Sequence, residues 1–229
     1  MKKDIFLLDA DGTILDFDGS SKIAIREGLK EFGIEWKDEY AAIYKTLNDG
    51  LWERLEAGEL TREKLHEIRF RLYLEKLGAD GSKGKEFNDR YMEHLATRPQ
   101  YINGAEAFLK KLAKNGAVYI VTNGTAYIQK TRFDILDIFR YVRGVFVSGA
   151  IGADKPSPVF TKYVVEHIDG FEKSRAVWIG DSLTADIKAA NEACIDSIWY
   201  NPNGNPLKKD VKPTFEVKDF VEIEKILEI

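Results

Sequence analysis

The chain has 229 residues, enough for one sizeable hydrophobic core and a small inserted domain. Hydrophobic residues make up 44% and charged residues 31%, a balance that excludes whole-chain disorder. With 34 Lys+Arg against 38 Asp+Glu the formal charge is -4 and no basic block stands out, which argues against nucleic acid or an anionic membrane as partner.

The first predicted element is a strand over Ile5 to Leu8, apolar on both faces and therefore suited to the interior of a parallel sheet. Its start resembles a signal peptide, but Asp9 and Asp11 cut the apolar stretch too short for one. No later apolar run has the length needed to cross a bilayer, so a cytoplasmic protein is expected. Between residues 16 and 98 the texture changes. Ile23, Ile25, Leu29 and Phe32, then Leu65, Ile68, Leu72 and Leu77, recur near helical spacing amid dense charge, which predicts several amphipathic helices in a separate small domain. Turn-rich stretches at Phe17-Asp18-Gly19 and at Pro99 to Gly104 are the expected hinges.

Beyond the insertion, short apolar runs return at 118–121, 145–147, 176–179 and 197–200, separated by helical patterns such as 105–114, 157–167 and 184–193. Strand alternating with helix reads as an α/β fold with a parallel sheet, built from residues 1–15 and 99–229 around the helical insert at 16–98. Cys194, the one cysteine, lies among Ala and Ile on a predicted helix and is expected to be a buried structural thiol. His66, His94 and His167 show no metal-ligand spacing.

In an open parallel sheet, ligands collect at the carboxyl ends of the strands. The pattern places Asp9, Asp11, Thr122, Asn123 and Asp181 there, with Lys155 in a loop shortly after another strand. Each alone has an ordinary explanation: Asp-Gly turns, a helix cap at Asp181-Ser182, a solvated lysine beside Pro156. Together, three carboxylates, one cation and one hydroxyl fit a site for phosphate and a divalent cation. Hard oxygen donors of this kind suit magnesium.

The ordered motifs Asp9-Ala10-Asp11-Gly12-Thr13, Thr122-Asn123-Gly124, Lys155-Pro156 and Gly180-Asp181-Ser182-Leu183-Thr184-Ala185-Asp186 resemble those of the haloacid-dehalogenase-like (HAD) hydrolases. The resemblance covers the whole chain. It implies a three-layered, Rossmann-like parallel sheet with the first strand central, and an all-helical cap domain of the family's first type. Asn48-Asp49-Gly50-Leu51-Trp52, Arg69-Phe70 and Pro213-Thr214-Phe215 are similar to the house-cleaning 5'-nucleotidase branch, whose members hydrolyse nucleoside monophosphates, often pyrimidine ones.

The resemblance implies Asp9 as nucleophile, forming an aspartyl-phosphate, and Asp11 as general acid and then base. It implies magnesium held by Asp9, the backbone carbonyl of Asp11 and Asp181, with Lys155 offsetting the remaining negative charge. Thr122 and Asn123 would bind the phosphoryl oxygens, and Asp186 would stand behind them, orienting Lys155 or a metal-bound water. In the cap, Asn48, Trp52 and Arg69 are candidate substrate contacts; Trp52 would either stack on a nucleobase or fill the cap's own core. The expected partner is a small phosphate ester, a nucleotide first, acted on by a monomer or weak homodimer. Sugar-phosphate hydrolysis is the alternative enzyme reading. A phosphomutase would need a second phosphate site, and a non-catalytic phosphoaspartate module would gain nothing from Asp11.

Overall fold

A computed structural model describes residues 2–207 and 210–229. The chain opens with β1 (Ile5–Leu8) and continues through four helices, α1 (Phe17–Glu31), α2 (Glu39–Glu56), α3 (Arg62–Lys76) and α4 (Gly84–Thr97). Then come α5 (Ala105–Asn115), β2 (Ala117–Thr122), α6 (Ala126–Ile135), β3 (Gly144–Val147), α7 (Ser148–Ile151) and α8 (Pro158–Glu166). It closes with β4 (Ala176–Gly180), α9 (Lys188–Ala193), β5 (Asp196–Tyr200), β6 (Phe215–Val217) and α10 (Phe220–Leu227). Contacts divide the chain into two compact units, Met1–Asp16 with Gln100–Ile229, and Phe17–Pro99.

The first unit is a six-stranded sheet in the order β3-β2-β1-β4-β5-β6, with every described strand pair parallel. Alternation along the strands sends neighbouring side chains to opposite faces. Phe6 and Leu8 of β1, with Val177 and Ile179 of β4, enter one core beside Phe108 of α5 and Ile223 of α10. Ile5 and Leu7, with Ala176 and Trp178, enter a second core beside Phe160 of α8 and Ala189 of α9. A strand feeding two cores must be apolar at every position, which is why β1 reads as an unbroken apolar run. The architecture is the three-layered α/β sheet that the sequence predicts, with β1 interior.

The second unit consists of α1 to α4. Its interior is an aromatic cluster in which Phe70 packs 5.4 Å from Tyr44, 4.9 Å from Phe87 and 4.8 Å from Tyr91, centroid to centroid. Leu51, Leu55, Leu65 and Ile68 form a second apolar group.

One reading, that of Cys194, needs correction. Phe17, Asp18 and Gly19, at the boundary between the two units, form the first turn of α1, where the Asp18 carboxylate suits the positive end of the helix dipole. On the return side, the segment at 100–102 is pinned to residues 14–16 by Asp16 N–H to the Gln100 carbonyl at 2.9 Å and Ile102 N–H to that of Ile14 at 2.9 Å. Cys194 is exposed, in a left-handed conformation at the end of α9, because the chain must reverse there toward β5. Strand β6 escaped the sequence reading because two of its three residues are exposed. Among the described residues, no helix is long and apolar enough to cross a membrane.

Candidate active site

β1 lies between β2 and β4, and Leu8 is in register with Ile120 on one side and Ile179 on the other. The carboxyl ends of three adjacent strands therefore deliver Thr122, Asp9 and Asp181 to one edge of the sheet. The strand order reverses at this point, the place where open α/β sheets collect ligands. Two glycines make the crowding possible. Gly12 has φ +82°, and a Cβ there would fall within the Asp181 carboxylate. At Gly180 a Cβ would overlap the carboxylate of Asp186.

Lys155 organises the interior of the site. Its buried Nζ donates to Asp9 Oδ1 at 2.6 Å, Asp186 Oδ1 at 2.6 Å and the Val121 carbonyl at 2.8 Å, which uses all three ammonium hydrogens. Asp186 is held in turn by Trp178 Nε1 at 3.3 Å and by the backbone N–H of Ser182 at 3.2 Å. It rides on a π-helical turn, Leu183–Ile187, in which Ile187 N–H bonds to the Ser182 carbonyl five residues back. Asn123 ties two loops of the site together. Its Oδ1 accepts from Lys155 N–H at 2.8 Å and its Nδ2 donates to the Lys155 carbonyl at 3.0 Å, so its side chain clamps the loop that carries the lysine. Thr13 Oγ1 lies 3.2 Å from Asp9 Oδ2 and 3.4 Å from Asp181 Oδ1, and the Asp181 carbonyl accepts from Trp199 Nε1 at 2.8 Å.

Asp11 has a separate set of partners, which sequence reasoning missed. Gln129 Nε2 donates to Asp11 Oδ2 at 2.9 Å and to Thr122 Oγ1 at 3.0 Å. Arg132 NH1 donates to the same Oδ2 at 2.9 Å and to Gln129 Oε1 at 2.9 Å, and its NH2 lies 2.7 Å from Asp11 Oδ1. Gln129 and Arg132 are both buried and stand three apart on α6, one turn of one face. Two long polar side chains at that spacing, directly after the strand ending in Thr122, are the signal that could have found them.

The electrostatics are unbalanced. The Asp11 carboxylate faces an arginine of its own, whereas Asp9, Asp181 and Asp186 share one ammonium. Carboxylate oxygens of these three lie within 4.8 Å of one another. Burial pushes the Asp9 carboxyl up to about 7; Lys155 opposes the rise, and Asp186 and Asp11 add to it. Burial, then Asp9 and Asp186, holds Asp181 well above the usual carboxylate range. For Lys155 burial works downward, but Asp186 and Asp9 outweigh it and keep the ammonium charged. Hard oxygens in excess of their counter-charge fit a divalent cation.

In the helical unit, Asn48 and Arg69 are brought together and both are buried. Asn48 Oδ1 accepts from Arg69 NH1 at 3.3 Å and from the Tyr44 hydroxyl at 3.2 Å. Asn48 and Tyr44 line a cavity of about 280 Å³ with Phe17, Asp18, Lys22 and Lys45. Trp52 packs elsewhere, against the leucine group of α2 and α3 with Arg62 over its ring at 5.3 Å.

Comparison with known proteins agrees with this geometry. A family model described as haloacid dehalogenase-like hydrolase matches residues 3–193. The HAD-hydrolase YfnB of Bacillus subtilis is 35% identical over 97% of this chain and 94% of its own. Its crystal structure, solved bound to magnesium, superposes with a TM-score of 0.95 over the full length of both chains. The pyrimidine 5'-nucleotidase PynA of Streptococcus pneumoniae is 34% identical over 95% of this chain and 92% of its own. The pyrimidine 5'-nucleotidase YjjG of Escherichia coli is 25% identical over 99% of each. A first strand that ends in Asp9, a buried lysine joining two aspartates and a match over most of the chain lead to one assignment: this protein belongs to the haloacid dehalogenase-like hydrolase family.

Proposed function

We propose that the protein is a magnesium-dependent phosphomonoesterase acting on nucleoside 5'-monophosphates, with pyrimidine nucleotides as the preferred class. The reading is carried by one observation: two carboxylates two residues apart have different partners, Asp9 against Lys155 and Asp11 against Gln129 and Arg132. The names of the PynA and YjjG relatives support the substrate class.

In this mechanism an Asp9 carboxylate oxygen attacks phosphorus, and the bond to the nucleoside 5'-oxygen breaks as that oxygen takes a proton from Asp11. Asp11, now a carboxylate, removes a proton from water, which attacks the aspartyl-phosphate, releases inorganic phosphate and restores Asp9. Lys155 holds Asp9 in place and is itself fixed by Asp186 and the Asn123 clamp. Thr122 accepts from Gln129, so its own hydroxyl hydrogen is directed elsewhere and can donate to a phosphoryl oxygen. Asp9, Asp181 and the Asp11 carbonyl would hold magnesium, which supplies charge neutralisation and polarises the phosphoryl group. In the helical unit, Arg69 can only donate, so it fixes the Asn48 amide with its oxygen toward the arginine. Asn48 also lines the cavity of the helical unit, which makes it the candidate polar contact for a ligand there.

The test is phosphate release from uridine, cytidine and adenosine 5'-monophosphates, ribose 5-phosphate and nitrophenyl phosphate, with magnesium and with chelator. Magnesium-dependent turnover that favours the pyrimidine nucleotides is expected. Full activity in chelator, or ribose 5-phosphate as the best substrate, would overturn the reading. Asp11→Asn should slow the first turnover of a nucleotide by about 10²–10⁴-fold and that of nitrophenyl phosphate far less, because nitrophenolate leaves without a proton.

A further inference from the structure

The clustered carboxylates of Asp9, Asp181 and Asp186 are not equivalent, and part of the difference lies in two tryptophans behind them. Trp178 of β4 and Trp199 of β5 are both fully buried. Trp199 is in register with Gly180, two residues beyond Trp178, so both indoles lie on one face of the sheet. Trp178 packs there against Ala189 and Ala190 of α9, and Trp199 against Leu183 and Ile187 of the π-helical turn. Each buried indole also has an N–H to place, which a phenylalanine would not. Trp178 Nε1 donates to Asp186 Oδ1 at 3.3 Å, the oxygen that also accepts from Lys155, while Ser182 N–H donates to Oδ2 at 3.2 Å. Trp199 Nε1 donates instead to the backbone carbonyl of Asp181 at 2.8 Å, at the other end of the turn. The Asp181 carboxylate is the less committed of the two: the Thr13 hydroxyl lies 3.4 Å from its Oδ1.

We infer that Trp178 and Trp199 are positioning residues that divide these carboxylates between the lysine and the metal. The inference rests on the phosphatase reading and adds to it the selection of the ligand set. Oxygens of all three aspartates lie close enough to share one cation. Trp178, Lys155 and the Ser182 N–H give Asp186 a protein donor on each oxygen, which commits it to Lys155 and steadies the ammonium against Asp9. Trp199 fixes the backbone at Asp181 and makes no claim on its carboxylate, which is left for magnesium. A donor standing behind a ligand in this way typically sets affinity or activity by about 10–100-fold.

Trp178→Phe and Trp199→Phe in the full chain test this. Magnesium binding is measured by titration calorimetry without substrate, and first-turnover rates on uridine 5'-monophosphate by rapid quench at saturating magnesium. Trp199→Phe should weaken magnesium binding about 10-fold and leave the saturated rate within about 2-fold of the parent. Trp178→Phe should do the reverse, lowering the saturated rate about 10-fold with KM and magnesium affinity within about 2-fold. Benzothienylalanine at either position keeps the fused ring and lacks the N–H, so it should reproduce both results without the cavity that phenylalanine leaves. An unchanged magnesium affinity in Trp199→Phe, or affinity and rate falling alike in both variants, would make the tryptophans packing residues and overturn the inference. A loss with phenylalanine that benzothienylalanine does not share would overturn it too, because the ring and not the N–H would then matter. If the parent binds magnesium but releases phosphate from no ester, the phosphatase reading fails while the calorimetry still decides the role of Trp199; if the parent binds no magnesium, both fail.

Discussion

Arg132 in the α/β unit and Arg69 in the helical unit are both almost fully buried, at 1% and 3% exposure, yet their charges are met in different ways. Arg132 lies against the Asp11 carboxylate through both terminal nitrogens. Arg69 has no carboxylate among its described hydrogen-bond partners. It donates to the side-chain oxygens of Asn48 and Asn88, reaches the sulfur of Met92, and lies over the rings of Phe70 and Tyr91 at 4.8 and 5.1 Å. Its Nε is buried without a partner. A buried cation without a counter-ion is costly, and amide dipoles and aromatic faces offset only part of that. The α/β unit therefore fixes charge by pairing it, as chemistry at phosphorus requires. The helical unit keeps a positive potential behind the Asn48 amide, which polarises a donor without presenting a charge.

The contrast is sharpest at the paired end. Lys155→Met would leave Asp9 and Asp186 facing each other without a cation. It should abolish turnover and cost about 3–5 kcal/mol of stability in urea unfolding at neutral pH. A variant that melts like the parent would mean that the buried carboxylates do not depend on the lysine.

At the unpaired end the same kind of change should act differently. Arg69→Met removes an uncompensated charge and fills similar volume, so stability should stay within about 1 kcal/mol or rise. The KM for a pyrimidine nucleotide should nonetheless increase about 10-fold, the scale of one hydrogen bond to a charged group, with KM for nitrophenyl phosphate unchanged. A loss of stability as large as that of Lys155→Met would erase the distinction between the units.

The contrast also predicts a pH dependence in the helical unit. Burial, then the charges of Arg69 and Arg62, depress the His66 pKa to about 4, with Glu63 and a hydrogen bond involving Asn88 opposing. The unfolded chain binds a proton near pH 6.5 and the folded one only near 4. The stabilisation from neutral His66 is thus fully present above about pH 6.5 and is lost as pH falls toward about 4. His66→Gln should flatten the melting temperature over that window, and Arg69→Met should raise the His66 pKa measured by NMR titration. An unmoved His66 pKa would show that Arg69's charge does not reach it.

These differences bear on what one dimension can reveal. β1, β2 and β4 were legible because strands buried on both faces must be apolar throughout, and Asp9, Thr122 and Asp181 because polar residues ending such runs stand out. The gathering of Lys155 and Asp186 around Asp9 was legible only through motif order, since nothing local in Lys155-Pro156 says that the ammonium will be buried. Gln129 and Arg132 stayed hidden because glutamine and arginine on a helix ordinarily face water. Asn48 and Arg69 were found as candidates, but their mutual bond joins α2 to α3 across a helical unit whose packing is not written in spacing. Trp52 was ambiguous between stacking on a nucleobase and filling the unit's own core, and it packs against the leucine group of that unit.

The paired backbone at residues 14–16 and 100–102 has a topological meaning. Asp16 and Gln100 are neighbours through a main-chain hydrogen bond, and Leu15 and Tyr101 form an antiparallel bridge. To the α/β unit, everything from Phe17 to Pro99 is the loop of a β-hairpin. Loop length enters the closure entropy only logarithmically, and here the loop folds into its own core, so its size need not burden the sheet. Helical units of other lengths and pocket shapes could be spliced at the same two residues without disturbing β1 or Asp9. Substrate choice can thus diverge while the chemical apparatus stays constant.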